Sequence, residues 1–152
     1  AQLQVLPAPE DTAVMANADA LVTVLQNLIM NSLEAGAERV QVTPKVTVSS
    51  GQGDDPSYVD LEVLDDGNGI GIEVREHVFE PFFTTRAGGT GLGLAVARNV
   101  IRAHRGDLDI ESNAGAGCRL RLRLPLAGQD PDADAERATE QWTLGSTGKA
   151  TA

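Results

Sequence analysis

The order of apolar residues along the chain predicts an α/β two-layer sandwich, in which a mixed, mostly antiparallel sheet of about five strands packs on three helices. Segments 40–49, 58–64 and 119–124 alternate apolar and polar residues with the period of a strand. Segments 19–35 and 92–103 repeat apolar residues at three- and four-residue steps, the period of a helix. Glycine-rich stretches separate the two kinds, so strands and helices interleave within one layered unit.

Each element has its own signal. Leu3, Gln4, Val5 and Leu6 alternate and stop at Pro7, a short strand, and residues 12–15 read as a weaker second one. In 19–35, Leu21, Val22, Val24, Leu25, Leu28, Ile29 and Leu33 form an apolar side. Asp19 or Asn17 is the candidate N-cap, and Gly36 is the C-terminal stop. Residues 40–49 and 58–64 are Val- and Thr-rich strands joined through a turn-rich segment at 50–56, with Val59, Leu61 and Val63 sharing a face. A short helix is expected over 72–78. Residues 79–90 lack periodicity and contain Pro, Gly and Thr, so they form a long loop of the kind that usually carries function. In 92–103, Leu94, Val96, Ala97, Val100 and Ile101 make the buried side. Residues 108–111 and 119–124 close the sheet as a hairpin around Gly115 and Gly117, with Arg119, Arg121 and Arg123 outward and Leu120, Leu122 and Leu124 inward.

The 152 residues divide into one domain, 1–126, and a polar tail, 127–152, which reads as disordered or a linker, with Trp142 nearly its sole apolar anchor and at most one loose turn between 132 and 142. A net charge of -10 argues against a nucleic-acid or anionic-membrane surface. Any anionic ligand must then be held by backbone N–H groups, a cation or a single basic side chain. Cys118 is the single cysteine, which excludes an intramolecular disulfide and points to a reducing, cytoplasmic setting. No apolar run reaches membrane-spanning length, so no membrane contact is expected of these residues.

Asn27 and Asn31 lie one helical turn apart and interrupt the apolar surface of 19–35. Two amides there serve either a polar ligand or metal shell, or each other in a satisfied core network. Asp66 stands where a strand runs into Gly67, Asn68, Gly69, Ile70 and Gly71; its carboxylate can accept from an exocyclic amine such as that of adenine, or merely make a tight turn. Asp65 is the more easily explained of the two, as turn chemistry or a solvated charge. Gly89, Thr90, Gly91, Leu92 and Gly93 lead straight into a helix, so backbone N–H groups and the positive helix end converge on an anion site suited to a phosphate chain. Arg86, the basic residue of the loop beside it, can close over a phosphate or remain a surface charge. The sequence has no Gly-Lys-Ser or Gly-Lys-Thr P-loop, and two histidines with one cysteine cannot fill a zinc site. A magnesium ion sharing one side-chain carbonyl, phosphate oxygens and water remains possible.

The order of these boxes, with Phe79, Glu80, Pro81, Phe82, Phe83, Thr84 and Thr85 between the glycine clusters, resembles the catalytic ATP-binding domain of sensor histidine kinases, a Bergerat fold of the GHKL superfamily shared with DNA gyrase and the heat-shock chaperone. The loop style is closest to nitrogen- and oxygen-sensing bacterial kinases. The resemblance implies that Asn31 is the magnesium ligand, with Asn27 near the phosphates, that Asp66 reads the adenine amino group, and that Gly67, Gly69, Ile70 and Gly71 line the base pocket. Phe83, Thr84, Thr85 and Arg86 would belong to the lid, Arg86 standing where the family often has a phosphate-contacting lysine. Gly89, Thr90, Gly91, Leu92, Gly93 and Leu94 would cradle the phosphates, and Cys118 stands in the pocket where Thr or Ser is common. Asn31, Asn27 and Arg86 are thus the catalytic candidates, with ATP and Mg2+ as cofactors.

Glu34, Cys118 and Arg86 depart from the family's usual pattern. Glu34 stands where some members carry a basic phosphate contact, and Asn27 stands where the ATPase members place a water-activating glutamate. The resemblance therefore implies transfer of the γ-phosphoryl group to a histidine on a separate dimerisation hairpin, with a response regulator downstream. An ATP-hydrolysing switch and a non-catalytic nucleotide-binding module are the alternatives. His77 and His104 are expected to be structural or exposed. On this reading Asp66→Asn abolishes nucleotide binding.

Overall fold

The computed structural model describes residues 1–10, 12–47 and 58–127. The expected turn at 50–56, the last two residues of the strand predicted over 40–49, and the tail beyond residue 127 lie outside the described residues.

In chain order the elements are β1 (Gln2–Val5), α1 (Ala18–Glu34), β2 (Arg39–Thr47), β3 (Tyr58–Asp65), α2 (Ile72–Arg75), α3 (Gly93–Ala103), β4 (Asp107–Ser112) and β5 (Cys118–Pro125). They form one five-stranded sheet in the order β1-β2-β3-β5-β4, with β1 parallel to β2 and every other pair antiparallel. The predicted mixed sheet and three helices are thus the fold observed. Pro44 sits within β2 but past the residues that β1 pairs, where the loss of an N–H on the open edge does no harm.

Alternation decides which residues enter the core. Val40 and Val42 of β2, Val63 of β3, and Leu120, Leu122 and Leu124 of β5 point to one face, where Val24 and Leu28 of α1 and Ala97 and Ile101 of α3 cover them. Asn17 caps α1, its side-chain oxygen accepting from the Ala20 N–H, and Gly36 beyond its end has φ +82°.

Two expectations change. Residues 12–15 do not form a strand: Val14 makes one isolated bridge to Leu126, and the Ala127 N–H donates to the Ala13 carbonyl at 2.8 Å. Among the described residues only Leu126 and Ala127, just past the end of β5, pair with this segment. The helix expected over 72–78 stops at Arg75, because the chain tightens into three-residue turns, with the His77 N–H on Val74 and the Glu80 N–H on His77.

On the sheet face opposite the helices, Asp60 is buried under its neighbours. Arg123 donates to it from Nε at 2.8 Å and Nη2 at 3.1 Å, and Thr47 Oγ1 donates at 2.7 Å. Burial pushes the Asp60 carboxyl up, but these bonds together outweigh it and hold the pKa below the usual 3.8.

Candidate functional site

A cleft of about 500 Å³ opens where α1, the 79–92 loop and the start of α3 meet the ends of β3 and β5. Its inner end is built around Asp65, which closes β3 on the helix-facing side two residues after buried Val63. The Asp65 carboxylate is 7% exposed and accepts three hydrogen bonds, which leave acceptor capacity on Oδ2: Oδ2 accepts from Ser32 Oγ at 2.6 Å, and Oδ1 accepts from the Gly67 N–H at 2.9 Å and the Cys118 N–H at 3.2 Å. These fixed donors orient the carboxylate. Beside it, Ile70, Val74, Val78, Leu94, Ile110 and Leu120 make an apolar wall that suits a flat ring. Gly69 has φ +64°, and a Cβ there would collide with the Asn113 carbonyl, so glycine alone fits this turn. Cys118 adds its thiol to the wall; burial first, and then the Asp65 charge, push its pKa up to about 12, which keeps it a neutral group.

The outer end is polar. Asn27 and Asn31 of α1 face Phe83, Thr84, Thr85 and Arg86 of the loop and the Gly89, Thr90 and Gly91 stretch. α3 begins at Gly93 with Leu92 as N-cap and no side-chain cap, so its first backbone N–H groups look toward the cleft without an internal partner. Gly91, at φ +65°, lies so close to the Phe82 backbone that a Cβ would collide with it. Phe82 itself has φ +69° and is 74% exposed, a strained aromatic held by its N–H on the Gly91 carbonyl at 3.0 Å. Arg86 reaches across the mouth: Nη1 pairs with Glu34 Oε2, and Nη2 donates to Asn31 Oδ1 at 3.1 Å.

The structure brings most of the predicted site together. Asn27, Asn31, Gly69, Ile70, Phe83, Thr84, Thr85, Arg86, Gly89, Thr90, Gly91, Gly93, Leu94 and Cys118 all line the cleft. Four do not. Asp66 is turned away: its carboxylate accepts from the Glu38 and Arg39 N–H groups, each at 2.8 Å, and from Arg39 Nε at 3.1 Å, riveting the end of β3 to the start of β2. The placement of Asp66 in the base pocket is therefore corrected, and so is the reading of Asp65 as a turn or solvated charge. Gly67 stands behind Asp65 and supplies it an N–H, Gly71 caps α2, and Leu92 caps α3 outside the wall. The strand period could have found Asp65, since it shares parity with Val59, Leu61 and Val63. Ser32, Met30 and Asn68 also line the cleft, and only Ser32 carries a sequence signal, one residue after Asn31 on the inward side of the helix.

Residues 16–128 match the family model described as histidine kinase-, DNA gyrase B- and HSP90-like ATPase. The chain belongs to this family. Within it, the chain is 35% identical over 103 residues to the signal transduction histidine-protein kinase AtoS of Escherichia coli (strain K12), covering 68% of this chain and 16% of AtoS. The chain thus spans about a sixth of the length of that relative. Among solved structures, the mycobacterial sensor histidine kinase MprB superposes with a TM-score of 0.67 at 27% identity, covering 82% of this chain and 81% of MprB. Full-length ShkA, solved in complex with AMPPNP, superposes with a TM-score of 0.66 at 25% identity, over 82% of this chain and 26% of ShkA. The family's ATP-binding domain and the likeness to sensor histidine kinases read from the glycine boxes are thus both confirmed.

Neither histidine of this family member lines the cleft. His77 is exposed beside Glu80, whose hydrogen bond raises its pKa. His104 Nδ1 donates to the Val100 carbonyl at 2.7 Å, and Nε2 accepts the Asn17 N–H at 3.1 Å, clipping the end of α3 to the cap of α1.

Proposed function

We propose that the cleft binds ATP with a magnesium ion and presents the γ-phosphoryl group to a histidine on a separate helical hairpin, as one part of a two-component kinase that passes the phosphoryl group on to a response regulator. The observation that carries this reading is the pairing, in one cleft, of a buried carboxylate beside an apolar wall with a glycine-rich, uncapped helix start. Asp65 accepts from the adenine exocyclic amine, and its three protein donors fix the direction in which it does so. The first N–H groups of α3 and the Gly89 to Gly93 segment receive the phosphates.

The residues at the outer end fit a magnesium ion bound together with its nucleotide. Asn31, which lines the cleft and whose Oδ1 here accepts from Arg86, would hold the ion through that single neutral oxygen, the remaining ligands being phosphate oxygens and water. When bound, it neutralises phosphate charge in the transition state. Among the described residues, the carboxylates that line the cleft are Asp65, engaged by three donors, and Glu34, paired with Arg86. Asn27 is an amide where a water-activating base would stand, so positioning for transfer is favoured over hydrolysis.

The test is labelled-phosphate transfer. Chain incubated with γ-labelled ATP and a hairpin carrying the acceptor histidine should put acid-labile label on the hairpin and release little free phosphate. Steady phosphate release by the chain alone, with no label on the hairpin, would replace this reading with a hydrolytic switch.

A further inference from the structure

Arg86 lies in the loop and Glu34 in the last turn of α1, 52 residues away in sequence, yet their side chains meet across the mouth of the cleft. The same guanidinium holds Asn31 through its other nitrogen at 3.1 Å. One planar fork therefore occupies both the acidic side chain and the amide oxygen proposed to meet the metal. Both ends of the ion pair are substantially exposed, 40% for Arg86 and 54% for Glu34, so the contact is weak enough to be exchanged. Phosphate oxygens match the guanidinium fork as well as a carboxylate does and bring more charge.

Resting on the ATP-binding reading above, we propose that Glu34 competes with the terminal phosphate of a bound nucleoside triphosphate for Arg86, and thereby sets how strongly the cleft distinguishes a triphosphate from a diphosphate. Asp65 is bonded to Ser32, Gly67 and Cys118, whereas Arg86 is bonded to Glu34 and Asn31, a separate set of residues of the same cleft, so with the base at Asp65 it is the phosphate chain that reaches toward Arg86. A triphosphate draws Arg86 off Glu34 and frees the Asn31 oxygen in the same movement. A diphosphate leaves Arg86 on Glu34, so loss of the terminal phosphoryl group restores the pair and weakens the hold on the product. Glu34 acts through Arg86 and is a positioning residue.

The test is a calorimetric cycle with ATP and ADP, magnesium present, on the wild type, Glu34→Gln, Arg86→Ala and the double variant, each checked by thermal melting. Removing the competitor should tighten ATP by about threefold, the size of one exposed ion pair, and leave ADP unchanged. In the Arg86→Ala background, Glu34→Gln should have no effect on either nucleotide. Equal tightening of ATP and ADP, no tightening of ATP, or a gain that persists without Arg86 would overturn the proposal, the last by exposing simple repulsion between Glu34 and phosphate. Failure of the wild type to take up either nucleotide is a different result, and refutes the ATP-binding reading itself.

Discussion

Asp65 and Asp66 are adjacent carboxylates with opposite surroundings, because a strand sends successive side chains to opposite faces. Asp65 ends β3 on the face of Val63 and meets Ser32, Gly67 and Cys118, whereas Asp66 falls on the other side and is consumed by the backbone of Glu38 and Arg39. A motif of two aspartates before glycine does not say which one enters the pocket; the parity of the preceding valines does. At the outer end, Asn31→Ala should spare ATP binding more than phosphotransfer, measured by titration and by label on the hairpin. Equal loss of both would remove its metal role. Arg86 was legible as the basic residue of the loop, but its pairing with Glu34 was not, since 52 residues separate them and no local pattern links loop to helix.

At the scale of elements, the helices and strands with a strong period were legible to within a few residues, because burial of one face is written directly into the sequence. The weak ones were not: residues 12–15 have strand-like composition but one bridging partner, and α2 gives way to turns after Arg75. The loop at 79–92 depends on Gly91. Gly91→Ala forces a Cβ into the Phe82 backbone, so ATP affinity should fall by about tenfold or more while the unfolding midpoint of the sheet core moves little, because exposed loop segments open locally. Calorimetry and chemical denaturation together check this. On the opposite sheet face, Asp60→Asn should cost roughly 2 kcal/mol at neutral pH, the scale of hydrogen bonds to a charged group. The Asp60 pKa is lowered on folding, so its stabilisation is present above the unfolded value near 3.8 and is lost as pH falls through the folded one. The wild-type advantage in denaturant titrations should thus be flat from about pH 5 upward and shrink below about pH 4.

For the molecule as a whole, one cleft joins parts drawn from far along the chain: the Asn-bearing helix, the end of β3, the loop, the start of α3 and the first residue of β5. Two glycine clusters in order made that convergence legible before any coordinates, and the match over residues 16–128 agrees with it. The central claim is that Asp65, and not Asp66, holds the nucleotide base. Calorimetric titration of ATP with magnesium into the wild type, Asp65→Asn and Asp66→Asn tests it directly. Binding by the wild type, at least about tenfold weaker binding by Asp65→Asn, and near-wild-type binding by Asp66→Asn are the expected results. Loss of binding in Asp66→Asn with full affinity retained in Asp65→Asn would contradict it.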